Sequence, residues 1–245
     1  MILAAGEGTR MRSPIPKVLH RVGGRTMVDR VAGVLTRAGV PDLVVVVGFY
    51  RDGVTGEVER YHPDARIAVQ EEQLGTGHAV KAAMHRVPEG AETVGVFSGD
   101  TPLLTPRTVW ALASGHRARE AAATLLTAEL SDPSGYGRIV RDDEGLVERI
   151  VEEKDAEEDI LAIREINAGA YLFGRSALED ALGALGRDNV QGEYYLTDSV
   201  SYLRERGRSV AAVKAPGEVS DVLGVNTPEQ LLHAEQILRA REEGT

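Results

Sequence analysis

The run Gly39-Val40-Pro41-Asp42-Leu43-Val44-Val45-Val46-Val47 decides the fold class. Upstream of it, Met27, Val31, Val34, Leu35 and Ala38 recur at helical spacing, and Gly39 stands where a helix C-cap belongs. Leu43–Val47 then runs without any polar alternation and is rich in β-branched residues, the pattern of a short strand inside a parallel sheet. The unit repeats downstream. Ala79, Val80, Ala83, Met84 and Val87 form a second helical pattern, and Val94–Phe97 is another apolar run, ending at Ser98-Gly99-Asp100. Thr105-Pro106 opens the next helix with a capping residue followed by proline at the first helical position. Strand candidates alternate with helices to about residue 123. That alternation predicts an α/β fold with a mostly parallel central sheet and helices on both faces.

The second half reads differently. Thr124–Glu129, Arg138–Arg141 and Leu146–Val151 are short strand candidates, with Asp142-Asp143-Glu144-Gly145 as a hairpin turn. Ile166–Phe173 is a further strand candidate, and helices are expected near 175–185 and 194–206. Thr227-Pro228-Glu229-Gln230 is a capping box, and Leu231, Ala234, Ile237 and Leu238 give the helix it opens an apolar stripe. There is no Gly/Ser linker, internal repeat or low-complexity tract. Residues 1–245 therefore read as one domain, with a smaller β-rich region over 124–226 and a closing helix over 227–245.

At 245 residues the chain can bury a real core without staples. It has no cysteine, which excludes thiol nucleophiles, thiolate metal sites and disulfides. Leu43–Val47 is far short of the roughly 20 apolar residues of a membrane helix. Met1–Gly6 lacks the basic start and apolar core of a signal peptide. A cytoplasmic protein is expected, with no membrane partner. The formal charge of −10 argues against binding polymeric nucleic acid. Its distribution is uneven: residues 1–30 hold six Lys/Arg against two acids, a net of +4 on an otherwise acidic chain. A local anion site fits this, as does chance clustering on a solvated face.

The basic segment contains Leu3-Ala4-Ala5-Gly6-Glu7-Gly8-Thr9-Arg10-Met11 and then Pro16-Lys17. Two glycines after a strand let backbone N–H groups wrap a phosphate. Arg10 would add forked hydrogen bonds, and Lys17 a point charge. The dinucleotide fingerprint is broken, because Met11 stands where its third glycine belongs, and no G-x-x-x-x-G-K-[ST] occurs. Composition alone fits a tight turn as well as a phosphate cradle. Likewise Gly99-Asp100 fits a turn or a metal site at a strand end, and Asn226 an ordinary helix start. The acidic run Glu152–Asp159 fits a solvated face.

Several segments together carry a resemblance. Leu3–Met11 with Pro16-Lys17 is similar to the signature of sugar-phosphate nucleotidyltransferases. Gln70-Glu71-Glu72-Gln73-Leu74-Gly75-Thr76-Gly77-His78-Ala79 narrows it, with Gly135–Ile139, Ile150-Val151-Glu152-x-Lys154-Asp155, Glu165–Gly169 and Gln191–Asp198. In this order, from residue 3 to at least Asn226, they resemble the N-terminal uridyltransferase domain of the bifunctional GlmU family. The resemblance implies a Rossmann-like nucleotide-diphospho-sugar transferase fold, with 1–123 binding nucleotide and 124–226 the sugar phosphate. It implies that UTP and N-acetylglucosamine-1-phosphate give UDP-N-acetylglucosamine and pyrophosphate, with Mg²⁺ as cofactor. Arg10, Lys17 and Asp100 would be catalytic, and Asp100 and Asn226 would hold the metal. Leu3, Ala4, Ala5, Gly6, Gly8, Thr9, Gln70, Gly75, Thr76, Ser98 and Gly99 would bind the nucleotide, and Gly137, Glu152 and Asn167 the sugar. An amide at Gln70 suits uracil, which presents donor and acceptor on one edge. His78 reads as a structural hydrogen-bonder, since a phosphate nucleophile is already ionised and needs no base. Tyr194, Tyr195 and Asp198 read as support.

Two departures from the family shape the expectations. No hexapeptide β-helix repeat follows, so acetyltransfer is not expected, and a monomer or weak dimer is. The first strand, Ile2-Leu3-Ala4-Ala5, has little chain to anchor it, so a weaker hold on the sheet is expected. The rival readings are a pyrophosphorylase for another sugar phosphate or nucleotide, and a non-catalytic nucleotide-sugar sensor. The sensor should have lost a metal ligand or the lysine, and Asp100, Asn226, Lys17 and Arg10 are all present.

Overall fold

The structure, a computed structural model, describes residues 1–243. β1 (Ile2–Ala4) is followed by a small hairpin of β2 (Arg21–Val22) and β3 (Arg25–Thr26), then by α1 (Met27–Arg37) and β4 (Val44–Val47). Next come α2 (Arg51–Tyr61), β5 (Arg66–Val69), α3 (Thr76–Ala83), β6 (Thr93–Ser98) and α4 (Pro106–Ala118). The second half adds β7 (Ala123–Glu129), β8 (Arg138–Arg141), β9 (Val147–Val151), the one-turn α5 (Glu158–Leu161) and β10 (Glu165–Gly174). It ends with α6 (Arg175–Ala184), α7 (Asp198–Glu205), β11 (Val210–Lys214) and α8 (Pro228–Glu243). Residues 244 and 245 of the expected closing helix lie outside the described residues.

The main sheet runs β11-β7-β10-β6-β1-β4-β5, with the β8–β9 hairpin attached to β10. β1 is parallel to β4 and β6, β4 to β5, and β11 to β7. Along that seven-strand path β10 alone reverses direction, antiparallel to β6 and β7, and it is antiparallel to β8 as well. The second half therefore continues the same sheet, and β8–β9 branches from it at β10.

Period-two packing sorts the core. Val44 and Val46 join one cluster with residues of α3, α6 and α7, while Val45 and Val47 join another with α1, α2 and α4. A third, smaller cluster seats α8 through Ala234 against Val22, Met27, Leu103 and Val225. Among the described residues no helix is long and apolar enough to cross a membrane.

Short as it is, β1 is well held. Ile2 is fully buried, the Met1 carbonyl accepts from Phe97 N–H at 3.0 Å, and the Leu3 carbonyl from Gly99 N–H at 2.9 Å. The chain runs from β1 outward through β4 and β5, then returns to place β6 on the other flank of β1. Strand order reverses there, and ligands of open α/β sheets gather at the carboxyl ends of the strands at such a point. The loops that leave β1 and β6 at that place are Ala5–Pro16 and Gly99–Thr105.

Candidate active site

After β1 the chain turns through Gly6-Glu7-Gly8 into a single 3₁₀ turn, Thr9–Met11. Gly8 adopts φ 68°, and a Cβ there would stand 2.5 Å from Lys17 Cβ. Glycine is required both by the left-handed backbone and by the closeness of the lysine. Among the described residues, the backbone N–H groups of Gly6, Glu7, Gly8, Thr9 and Arg10 have no hydrogen-bond partner. A row of unpaired amides on an exposed loop flanked by cations is the arrangement that an anion cradle requires.

Arg10 and Lys17 complete it. Lys17 Nζ donates to Asp100 Oδ2 and, at 2.6 Å, to Asn226 Oδ1; Arg10 Nη2 donates to the same amide oxygen at 2.9 Å. Asp100 follows β6 and Asn226 precedes α8. The expected capping box forms: Gln230 N–H donates to Thr227 Oγ1 at 3.3 Å, and Gln230 Oε1 accepts from Thr227 N–H at 3.2 Å and from Asn226 N–H at 2.7 Å. Gln230 thereby fixes the Asn226 backbone, while Val225 N–H donates to the Asp100 carbonyl at 2.8 Å. A carboxylate and an amide oxygen thus converge on one ammonium. Two hard oxygen donors facing a single cation fit Mg²⁺, which keeps waters and substrate oxygens in its other positions.

A cleft of about 410 Å³ opens over the loop. Of the residues expected to bind nucleotide, Leu3, Ala4, Ala5, Gly6, Gly8, Thr9, Gln70, Gly75, Thr76 and Ser98 line it, together with Lys17 and Asp100. Gly99 does not. Its place is structural, since a Cβ there would stand 2.7 Å from the Leu3 carbonyl. Gln70 is 3% exposed, and its Nε2 donates to the Gly75 carbonyl and to His78 Nδ1, each at 3.1 Å. Gly75 has φ 102° and would place a Cβ 2.6 Å from the Tyr194 carbonyl. Thr76 Oγ1 accepts from Leu196 N–H at 3.0 Å, so its hydroxyl also serves the fold.

Gly137, Glu152 and Asn167 are brought together by β8, β9 and β10, beside the cleft rather than in its lining. Asn167 N–H donates to the Gly137 carbonyl at 2.9 Å, and a Cβ on Gly137 would lie 3.4 Å from Glu152 Oε2. Burial pushes the Glu152 carboxyl above the usual carboxylate range, the Thr197 hydroxyl donating at 3.0 Å pulls it back, and Asp198, Asp155 and Glu193 push it up. Asn167 is 8% exposed and mostly engaged. Its Nδ2 donates to the Tyr171 hydroxyl at 2.5 Å and its Oδ1 accepts from Gly169 N–H at 3.1 Å, leaving one amide hydrogen for a ligand. Ser98 Oγ joins the two regions by donating to the Gly169 carbonyl at 3.2 Å.

The supporting segment is a clasp. Tyr195 Oη donates to Asp155 Oδ2 at 3.0 Å and accepts from Gln191 Nε2 at 2.8 Å, while Lys154 Nζ donates to Gln191 Oε1 at 2.6 Å. Burial first, then Asp155, pushes the Tyr195 phenol up to about 12. The sequence reading missed Thr197, Gln73 and Glu193, the last two in the cleft lining. All lie inside segments it had singled out, but residue type alone gives a threonine or a surface acid no distinguishing signal.

Comparison with known proteins shows the family and the fold. A family model described as the MobA-like NTP transferase domain matches residues 1–200. The bifunctional protein GlmU of Heliobacterium modesticaldum is 51% identical over 98% of this chain, which covers 52% of that protein. The GlmU of Streptomyces coelicolor is 49% identical over 98% of this chain, which covers 50% of that protein. The chain spans about half the length of the curated relatives it matches. A solved structure described as a glucose-1-phosphate thymidylyltransferase from Bacillus anthracis superposes with a TM-score of 0.77 at 18% identity, over 97% of this chain and 94% of that one. That likeness is one of fold.

Proposed function

From membership of the MobA-like NTP transferase family, to which this chain belongs, we propose that it makes UDP-N-acetylglucosamine and pyrophosphate from UTP and N-acetylglucosamine-1-phosphate. The observation that carries this reading is the row of unpartnered N–H groups from Gly6 to Arg10, set beside Lys17. It is built to hold a polyphosphate. The choice of uracil and of the N-acetylated sugar rests on the similarity to the GlmU proteins.

In the proposed reaction an oxygen of the sugar-1-phosphate attacks the α-phosphorus of UTP, and the bond to pyrophosphate breaks with its electron pair leaving on pyrophosphate. The nucleophile is already ionised, so no side chain need take a proton. Catalysis then rests on alignment and charge. The loop amides and Arg10 hold the triphosphate, Lys17 offsets charge between two anionic substrates, and Glu152 accepts hydrogen bonds from sugar hydroxyls across the space that Gly137 leaves open. Nucleotidyltransfer of this class calls for a divalent metal. Asp100 and Asn226 are the residues that would hold it, and Mg²⁺, when bound, supplies further neutralisation of phosphate charge.

The test is a matrix of the common nucleoside triphosphates against several sugar-1-phosphates with Mg²⁺, scored for pyrophosphate. The fastest release is expected for UTP with N-acetylglucosamine-1-phosphate. Release from no pair overturns the enzyme reading, and a clear preference for another pair replaces the substrate assignment.

A further inference from the structure

Gln70, only 3% exposed, lines the cleft with both hydrogens of its amide engaged. The Gly75 carbonyl can only accept, so the group 3.1 Å from it must be the amide nitrogen, not its oxygen. The same nitrogen lies 3.1 Å from His78 Nδ1, which must therefore carry a lone pair, with the ring proton on Nε2. Gln70 Oε1 accepts from no described residue. The amide is thus held in one of its two orientations and offers the cleft an acceptor alone. His78 is itself held: its ring is stacked with that of Tyr194 at 6.2 Å, and Tyr194 is tied down by its N–H to the Leu74 carbonyl and its carbonyl to Gly77 N–H, both at 2.8 Å.

We propose that His78 is a positioning residue that sets base selectivity by locking Gln70 as an acceptor. The inference rests on the uridyltransferase reading. The edge of uracil that a pairing partner reads has a single donor, N3–H, between two carbonyls, so an acceptor-only Gln70 has one atom to meet. Cytosine carries a bare lone pair at N3 and would face Oε1 with two acceptors opposed. With the Gly75 carbonyl as its sole acceptor, the amide would forfeit one hydrogen bond on turning its nitrogen to the base. The second, imidazole acceptor makes the flip costly, because Oε1 would then face both the carbonyl and Nδ1.

The experiment measures dissociation constants for UTP and CTP with Mg²⁺ by calorimetry, in the wild type, His78→Phe and His78→Asn. Phenylalanine keeps a ring against Tyr194 but has no acceptor, whereas the asparagine Oδ1 restores an acceptor near the position of Nδ1. The preference for UTP over CTP should fall by about tenfold or more in His78→Phe and stay within about threefold of the wild type in His78→Asn. Unchanged preference in His78→Phe, equal loss in both variants, or a wild type that binds CTP as well as UTP would each overturn the proposal. Should His78→Phe not fold, ¹⁵N NMR of the wild-type ring decides: protonation at Nε2 supports the lock, and at Nδ1 refutes it. A wild type that selects UTP in binding, loses that preference in His78→Phe, and releases pyrophosphate with none of the sugar-1-phosphates would sink the transferase reading and support this one.

Discussion

Gly8→Ala separates the shape of the phosphate loop from its charge. The new Cβ would meet Lys17 Cβ at 2.5 Å, Lys17 N at 3.2 Å and Lys17 Cα at 3.3 Å. Carbon pairs rest at about 3.5–4.0 Å, so the lysine must retreat by about 1 Å. Its Nζ would then lose the 2.6 Å contact with Asn226. A misplacement of that size costs about 100-fold in rate, or about 2.7 kcal/mol in the barrier. The left-handed backbone at φ 68° adds a stability cost, about 1–2 kcal/mol, which lowers Tm by about 2–8 °C. Gly24→Ala is the control: Gly24 has φ 75° but open space around its Cβ position. Both variants should melt early, and Gly8→Ala alone should lose kcat for pyrophosphate release, read by a coupled phosphate assay. If kcat in Gly8→Ala lies within about threefold of that in Gly24→Ala, the loop does not position Lys17 and the reasoning fails.

Three further outcomes are expected. Thr197→Val removes the hydrogen bond that pulls the Glu152 carboxyl down; the group then holds its proton to higher pH, and the acid limb of the pH–rate profile should shift upward, whereas an unmoved limb would detach Glu152 from turnover. Asp100→Ala should lower pyrophosphate release by about 1,000-fold or more, with the circular dichroism spectrum retained and Mg²⁺ binding by calorimetry weakened; near-normal rates would refute its metal role. Gly137→Ala would place a Cβ 3.0 Å from Ile150 Cγ2 and 3.4 Å from Glu152 Oε2. It should raise KM for the sugar phosphate by about tenfold and leave KM for UTP unchanged, so a change in both would mean a general distortion instead.

The parts of the fold legible in the sequence were those whose local pattern and tertiary fate agree. Val44–Val47 is buried on both faces and reads so. Thr227 and Gln230 cap α8 as their spacing requires. The reading passed over α2, which buries only Val54 and Val58 and carries two glycines, and β5, an edge strand with only Ala68 fully buried. Neither has the apolar periodicity that a core-facing element shows. The helix expected from 194 begins at Asp198. Tyr194 and Leu196 are drawn out of it by bonds to Leu74, Gly77 and Thr76, more than a hundred positions away. Such contacts override local propensity and leave no local trace. In the site, the glycine loop and Asp100 at its strand end could be reasoned from chemistry, whereas Asn226 and Gln70 required the resemblance. An amide carries no charge pattern, and what makes these two distinctive is the partner each meets in space.

Lys17 meets Asn226 across 209 positions of chain, and Arg10 meets it across 216. The entropy of closing a loop grows only with the logarithm of its length, so so long a closure costs little more than a short one. Its effect is on timing. During synthesis residues 1–98, which hold β1, β4, β5 and β6, are made well before residue 226. The amide oxygen of Asn226 is set in place with α8, whose Glu235 accepts from Gly23 N–H at 2.6 Å. A chain with its sheet formed and α8 still loose would have the loop and Asp100 but half of the oxygen pair. On the proposed reading, competence requires that one helix be docked as well as the sheet formed.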